Sequence, residues 1–231
     1  MTTTVQANAT NMKGIIPWSY SSLQAYETCP RRFQLTRLTK QVKEPQSASM
    51  AWGNEVHKAL EDAVRGTQGL AYRFQAYQPL VTKILSSPGH KEAERNFALT
   101  DSFRPTDYWA KDAWVRGKAD LTITYAKSAT LLDWKTGKPK EDPSQLKLFA
   151  GVLLVEKPHV TNVRTGFVWL AHNKIDSEVV ERAELPSIWQ DFVTRVSRMK
   201  YSATHNDFPP RPSGLCREYC PVGNAMCEHC G

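Results

Sequence analysis

No stretch of this chain approaches the ~20 consecutive apolar residues that a membrane-spanning helix needs. Its first residues, Met1 to Lys13, are rich in Thr, Asn and Ala and lack the apolar core of a secretory signal. A membrane protein and an exported enzyme are therefore not expected, and a cytoplasmic location is. Also absent is the G-x-x-x-x-G-K-[ST] loop that cradles nucleotide phosphates, so the chain is not itself an ATP-driven motor. There is no internal repeat and no low-complexity segment. The cysteines number five, an odd count without an export signal, which argues against a disulfide framework. Charge of one sign is not extreme either. Lys and Arg total 30 against 23 Asp and Glu, a net +7 that suits a polyanionic partner but also suits plain solubility.

What is present is enough for a core: 231 residues, 41% hydrophobic and 23% charged. Residues 1–17 read as a leader and 18–231 as one domain. Ser19 to Thr28 reads as a short helix, interrupted at Cys29-Pro30 because the residue before proline is pushed out of helical space. Arg31 to Lys43 carries Arg31, Arg32, Arg37, Lys40 and Lys43 with no acid. After a loop, Trp52, Val56, Leu60 and Val64 recur at four-residue spacing and predict a helix over Trp52 to Val64. A second helix is expected over Ala71 to Leu85. The period then shortens. Arg95 to Leu99 alternates, Val115 to Tyr125 reads as a strand, and Leu131 to Lys135 as the next one after a turn at Ala126 to Thr130. Asp142-Pro143 opens a helix to about Val155. Asn162 to Leu170 and Ile175 to Glu181 form a hairpin, and Pro186 to Tyr201 a last amphipathic helix. This order predicts a mixed α/β domain with a helical, cysteine-bearing appendage.

The chemistry-bearing residues concentrate in Gly117-Lys118-Ala119-Asp120 and Leu132-Asp133-Trp134-Lys135. On a strand, residues two apart share a face, so Asp133 and Lys135 project together while Leu132 and Trp134 face the other way. If the two strands pair around the short turn, Asp120 and Asp133 converge. Paired carboxylates suit a hard divalent cation, and a lysine beside them can hold a phosphate or orient water. An isolated Asp-x-Lys is more simply a surface ion pair. Here it closes an apolar strand and leads into the basic loop Thr136-Gly137-Lys138-Pro139-Lys140, a common setting for a site. His57 flanks the apolar stripe of its helix with Glu61 four residues on. Taken alone it is more simply structural or exposed, though neutral imidazole can ligate metal. Gln145 opens the helix after the basic loop and is uninformative by itself. Cys216, Cys220, Cys227 and Cys230 crowd the C-terminus, and such a cluster points to metal or iron–sulfur ligation.

Taken in order, these pieces resemble the PD-(D/E)XK nuclease superfamily. The likeness is to its RecB-like exonuclease branch, which includes CRISPR-associated iron–sulfur exonucleases, the AddB nuclease domain and phage exonucleases. The matching segments are Ser19 to Phe33, Gly53 to Glu61, Gly117 to Asp120, Asp133 to Gly137, Gln145 and the terminal cysteines. Each motif is weak alone; their order and joint presence make the match specific. The resemblance implies a restriction-endonuclease-like core, a mixed sheet flanked by helices, with 18–50 and 202–231 forming a cluster-bearing appendage. It implies Mg²⁺ or Mn²⁺ on His57, Asp120, Asp133 and the Trp134 backbone carbonyl, and Lys135 positioning the nucleophilic water. It also implies Gln145 helping to hold the site and DNA. Phe149 stands where the family's Q-x-x-x-Y motif has tyrosine.

By the same resemblance Cys29, Cys216, Cys220 and Cys227 would ligate a [4Fe–4S] cluster, with Zn²⁺ as the alternative metal. Cys230 is then a spare or alternative ligand, and His229 a less favoured one. The expected substrate is DNA, single-stranded or at duplex ends. Arg31, Arg32, Arg37, Lys138 and Lys140, and further along Arg195, Arg198 and Lys200, are candidate backbone contacts. The implied activity is a metal-dependent DNA exonuclease of phage or bacterial recombination, repair or degradation, working in the nucleoid or an infected cell. A helicase or recombination partner is compatible, and the oligomeric state is left open. The other reading is a non-catalytic nucleic-acid-binding module with a structural iron–sulfur or zinc site.

Overall fold

A computed structural model describes residues 16–139 and 142–230. The expected leader over 1–17 thus lies almost wholly outside the described residues, as does Lys140. Helix α1 (Tyr20–Thr28) begins where Ser19 and Ser22 exchange hydrogen bonds: Ser22 N donates to Ser19 Oγ at 3.3 Å and Ser19 N to Ser22 Oγ at 2.9 Å. It ends at Cys29, extended ahead of Pro30, and a short α2 (Pro30–Phe33) runs into a π-helical turn, Gln34–Leu38. Helix α3 (Ala48–Arg65) starts before the expected Trp52, because the Ser47 hydroxyl accepts from Met50 N and caps an extra turn. The helix expected over Ala71 to Leu85 is split into a 3₁₀ stretch, Tyr72–Tyr77, and α4 (Gln78–Ser86). Pro79 explains the split: it has no N–H to continue the earlier turn but fits the first turn of a new helix.

Five strands form one sheet in the order β1 (His90–Leu99), β2 (Val115–Thr124), β3 (Ser128–Lys135), β4 (Asn162–Trp169) and β5 (Lys174–Glu181). All neighbours are antiparallel except β3 and β4, which are parallel and joined by the crossover helix α5 (Ser144–Glu156). Helix α6 (Leu185–His205) follows β5, and a short α7 (Cys216–Tyr219) lies in the cysteine-rich end. This is the mixed sheet flanked by helices that the sequence leads one to expect. Among the described residues no helix is long and apolar enough to cross a membrane.

The sheet separates two apolar cores. Ala129, Leu131, Val163 and Phe167 pack with α1, α5 and α6, whereas Leu132, Trp134 and Val168 pack with α3 and α4. Strand β2 does not keep one parity. Val115 and Ala119 belong to the first core, and a Cβ on Gly117 would clash with the Phe97 ring on that side. Leu121 and Ile123, also odd, belong to the second. The side chains therefore change face at Asp120. Opposite it on β1, between the pairs Ala93↔Leu121 and Arg95↔Ala119, stands Glu94 with φ +51°. A left-handed conformation at a non-glycine residue in a strand costs about 1–3 kcal/mol and tends to mark functional sites.

The two described chain ends meet. Arg31 donates to the Met226 carbonyl (3.2 Å), Gln34 to the Asn206 side chain (3.1 Å), and Arg211 to the Glu27 carbonyl. Leu35, Val42 and Val222 pack with Cys216, Cys220, Cys227 and Cys230 in a small separate cluster.

Candidate active site

The sheet, α3 and α5 bring the predicted residues to one place. The pairing of β2 with β3 is recorded up to Leu121↔Leu132; one step further the strands part, and the Asp120 carboxylate fills the gap. Its Oδ2 accepts the Trp134 backbone N–H at 2.7 Å, while Oδ1 lies 3.2 Å from His57 Nδ1 on α3. The Trp134 ring, buried in the second core, fixes the backbone that makes this bond. Gly53 allows α3 to approach, since a Cβ there would sit 3.3 Å from Thr136 Oγ1 at the end of β3. On the other side of Trp134, Asp133 Oδ2 lies 2.6 Å from Lys135 Nζ. Gln145, at the start of α5, closes the ring: its amide donates to Asp133 Oδ1 (2.9 Å) and its carbonyl accepts from Lys135 (3.1 Å). Lys135 Nζ also sits 5.1 Å from the Phe167 ring centre. Phe149, one turn along α5, points away into the first core and packs edge-on to Phe97 at 4.9 Å.

The sequence reading missed Glu94. Its ligand oxygen, one from Asp120 and a His57 nitrogen lie within 4.8 Å of one another. Its left-handed backbone, directly across the ladder from Asp120, presents the carboxylate there, and Lys118 pairs with it. The only signal in the sequence was an acid in the run Lys91-Glu92-Ala93-Glu94-Arg95, which has no distinctive spacing. These groups line an open cleft of about 660 Å³ that also includes Gly53, Lys118 and Gly137.

The electrostatics are those of crowded acids. Burial, and then the neighbouring Asp120, push the Asp133 carboxyl up to about 6 against the pull of Lys135 and His57. Burial also raises Glu94, with Asp120 adding to it and Lys118 opposing. For His57, burial works downward, but Asp120, Asp133 and Glu94 outweigh it and the ring's pKa is raised. Asp133 Oδ2 is buried and accepts no hydrogen bond of good geometry, its ion-pair contact with Lys135 aside. The His57 nitrogen and one oxygen each from Glu94 and Asp120 fit a divalent cation, with Asp133 next to them, and the nitrogen donor suits Mn²⁺ better than Mg²⁺.

One consequence concerns stability. A carboxyl raised in the folded state stabilises that state below its ordinary pKa of 3.8, and this contribution is lost as the pH rises through about 6. Asp133→Asn is therefore expected to make the metal-free protein more stable at pH 7–8, by on the order of 1–3 kcal/mol or several degrees. The gain should fade below about pH 4. Thermal melts of both proteins in chelator across pH check this; a variant that melts lower at pH 8 contradicts it.

The candidate backbone contacts fare differently. Arg32 and Arg37 both pair with Glu44 at 3.1 Å, and Arg31 is held by Gln34 and Met226. Arg195 is gripped by both oxygens of Glu27 at 2.7 Å. These guanidiniums have internal partners. Lys138 is exposed in the loop beyond β3, next to the cleft.

All five cysteines are free thiols and line one cavity of about 100 Å³ between the chain ends. Cys230 is the buried one, 4% exposed. Burial, with hydrogen bonds and charge from Cys220 and Cys227, pushes its thiol up to about 12. Cys29 Sγ accepts from Arg211 N (3.4 Å) and Cys216 Sγ from Ser213 N (3.2 Å).

With this geometry established, comparison with known proteins is direct. The model of a family described as the PD-(D/E)XK nuclease superfamily matches residues 17–228. Among solved structures, the chain is similar to a protein from Eubacterium rectale described as a candidate exonuclease. That likeness has 11% identity and a TM-score of 0.52, covering 94% of this chain and 91% of that one. It is also similar to the protein named SSO0001, at 14% identity and a TM-score of 0.46 over 94% of this chain and 91% of that one. At such identity the first likeness speaks for the fold alone. No curated protein matches the sequence.

Proposed function

Because the chain belongs to the PD-(D/E)XK nuclease superfamily, matched over residues 17–228, we propose that it is a divalent-metal-dependent DNA exonuclease. The observation that carries this reading is the adjacency of two constellations of side chains. His57, Glu94 and Asp120 converge within 4.8 Å, and Asp133, Lys135 and Gln145 form a ring of one ion pair and two hydrogen bonds beside them. His57, Asp120 and Asp133 hold the cation, as the resemblance implies, and Glu94 joins them; the Trp134 carbonyl is the remaining candidate donor. A bound divalent cation supplies charge stabilisation at a phosphodiester and lowers the pKa of a coordinated water.

The side chains do the rest. Lys135, held by Asp133 and Gln145, supplies the ammonium that orients the attacking water and offsets charge developing on phosphate. Gln145 bridges Lys135 and Asp133 and fixes the orientation of both. Asp120 is anchored through the Trp134 N–H at Oδ2, which leaves Oδ1 beside His57 Nδ1 as its oxygen for the cation. Lys138, exposed in the loop beyond β3, is the cation offered to the sugar–phosphate backbone, whereas Lys118 is paired with Glu94. The name of the Eubacterium rectale protein is in keeping with exonuclease action.

We also propose that the cysteine cavity holds a [4Fe–4S] cluster, with Zn²⁺ as the alternative. Convergence of five thiols supports a metal, and N–H donors to two of the sulfurs are the bonds that stabilise metal-bound thiolates. Burial beside Cys220 and Cys227 gives Cys230 as strong a claim to the shell as its neighbours.

The test is digestion of end-labelled single- and double-stranded DNA with and without Mg²⁺ or Mn²⁺. Metal-dependent release of label from an end is the expected result; no cleavage with either ion overturns the reading. In the same assay Glu94→Gln is expected to raise the metal concentration for half-maximal activity by at least about tenfold, with the saturated rate less affected. An unchanged metal requirement removes Glu94 from the ligand set.

A further inference from the structure

The connection between β1 and β2 carries a feature that the site does not use. Trp109 is 79% exposed, yet its loop is pinned. Ala110 N donates to the Asp107 carbonyl (2.9 Å), Thr106 Oγ1 to the Asp112 carboxylate (3.0 Å), and Arg116 Nη2 to the Ala110 carbonyl (3.0 Å). The Arg116 guanidinium carbon lies 5.3 Å from the Trp109 ring centre and 5.5 Å from that of Tyr108. The two rings meet edge to face at 4.8 Å and 89°. Arg116 Nε is buried with no hydrogen-bond partner among the described residues, so this guanidinium is held by the rings as much as by hydrogen bonds.

The place of this platform matters more than its exposure. Val115, Gly117 and Ala119 face the first core, so Arg116 and Lys118 project from the opposite face. Lys118 lines the cleft. At the rise of a strand, Arg116 lies about 7 Å beyond Lys118 and about 13 Å from Asp120 along the same strand. That distance amounts to a few nucleotides of an extended single strand. The loop also contains Asp101, Arg104, Asp107, Lys111 and Asp112, whose charges nearly cancel, so it offers a flat ring face rather than a phosphate clamp.

We propose that Tyr108, Trp109 and Arg116 form a stacking platform for an unpaired base of a single-stranded nucleic acid whose phosphodiester lies at Asp120. The proposal rests on the nuclease reading for the position of the phosphate. A ring already oriented by Arg116 and the pinned turn loses little freedom when a base stacks on it. Because the contact is a π-face, it tolerates any base and is less sensitive to salt than a contact from Lys138.

The test measures binding of a labelled oligothymidylate to Lys135→Ala protein with Mg²⁺, alone and combined with Trp109→Ala or Trp109→Phe. Trp109→Ala is expected to weaken binding by about 5- to 100-fold, with the loss persisting at high salt, and Trp109→Phe to retain most of the affinity. Thermal melts should be unchanged, since the ring is exposed. Affinity unaltered by Trp109→Ala overturns the platform. Digestion by otherwise wild-type protein separates the two readings. Trp109-dependent binding without cleavage sinks the nuclease and leaves the platform; cleavage with Trp109-independent binding sinks the platform alone.

Discussion

Lys135→Ala is expected to cut DNA cleavage by at least about 10²- to 10³-fold at saturating metal, the cost of removing one preorganised charge from a transition state. The loss has two separable parts. The first is catalytic, because among the described residues no other cation shares the Asp133–Gln145 cradle: Lys118 is committed to Glu94. The second is electrostatic. Asp133 is 4% exposed and already raised to about 6 with Lys135 opposing that rise. Without the ammonium its carboxyl rises further, so protons compete harder for a metal ligand at neutral pH.

A metal titration at two pH values separates the parts. Raising the pH should restore metal affinity in Lys135→Ala but leave the saturated rate low. Lys135→Arg should rescue poorly, since a planar guanidinium cannot occupy a space in which one nitrogen lies 2.6 Å from Asp133 and 3.1 Å from Gln145. Cleavage within about tenfold of wild type in Lys135→Ala would remove this lysine from the chemistry.

The ease of finding Lys135 and the invisibility of Glu94 have one physical cause. Asp133, Trp134 and Lys135 lie on a strand that keeps its period of two, so alternation alone puts the acid and the lysine on one face and the tryptophan on the other. Ser19, and the rhythm of Val56 and Leu60, mark α1 and α3 in the same local way. Glu94 and Asp120 sit where periodicity fails. A left-handed residue in mid-strand leaves no compositional trace, and the face switch at Asp120 is visible only once β1 lies beside β2. The long connection from Leu99 to Val115, with its pinned turn, conceals that register from any reading of the sequence. The start of α3 was misjudged because Ser47 caps a turn whose residues Ala48 to Ala51 add no apolar stripe. Arg31, Arg32 and Arg37 looked free because their partners, Glu44, Gln34 and Met226, are set by how the ends fold back.

That folding back underlies the second large effect. If the thiols share one metal centre, it ties Cys29 to the C-terminal cysteines across nearly the whole chain. Closing so long a loop restrains the unfolded state by on the order of 5 kcal/mol. For a domain of this size that corresponds to roughly 10–20 °C in melting temperature. Each of the five single Cys→Ser variants is then expected to fall into one of two classes. Four should lose the bound metal and melt about 10 °C or more lower, with the contacts of Arg31, Gln34 and Arg211 loosened. One should keep both metal and stability and thereby identify the spare thiol. Cys220→Ser and Cys230→Ser belong to the first class. Cys230 is the buried thiol of the group and is held high by its neighbours, a state that a cation relieves by drawing off its proton. Anaerobic purification with metal analysis and visible absorption reads the outcome. A coloured, iron-bearing protein points to the cluster, a colourless one with zinc to the alternative, and five equally stable metal-free variants would leave the cavity without a metal.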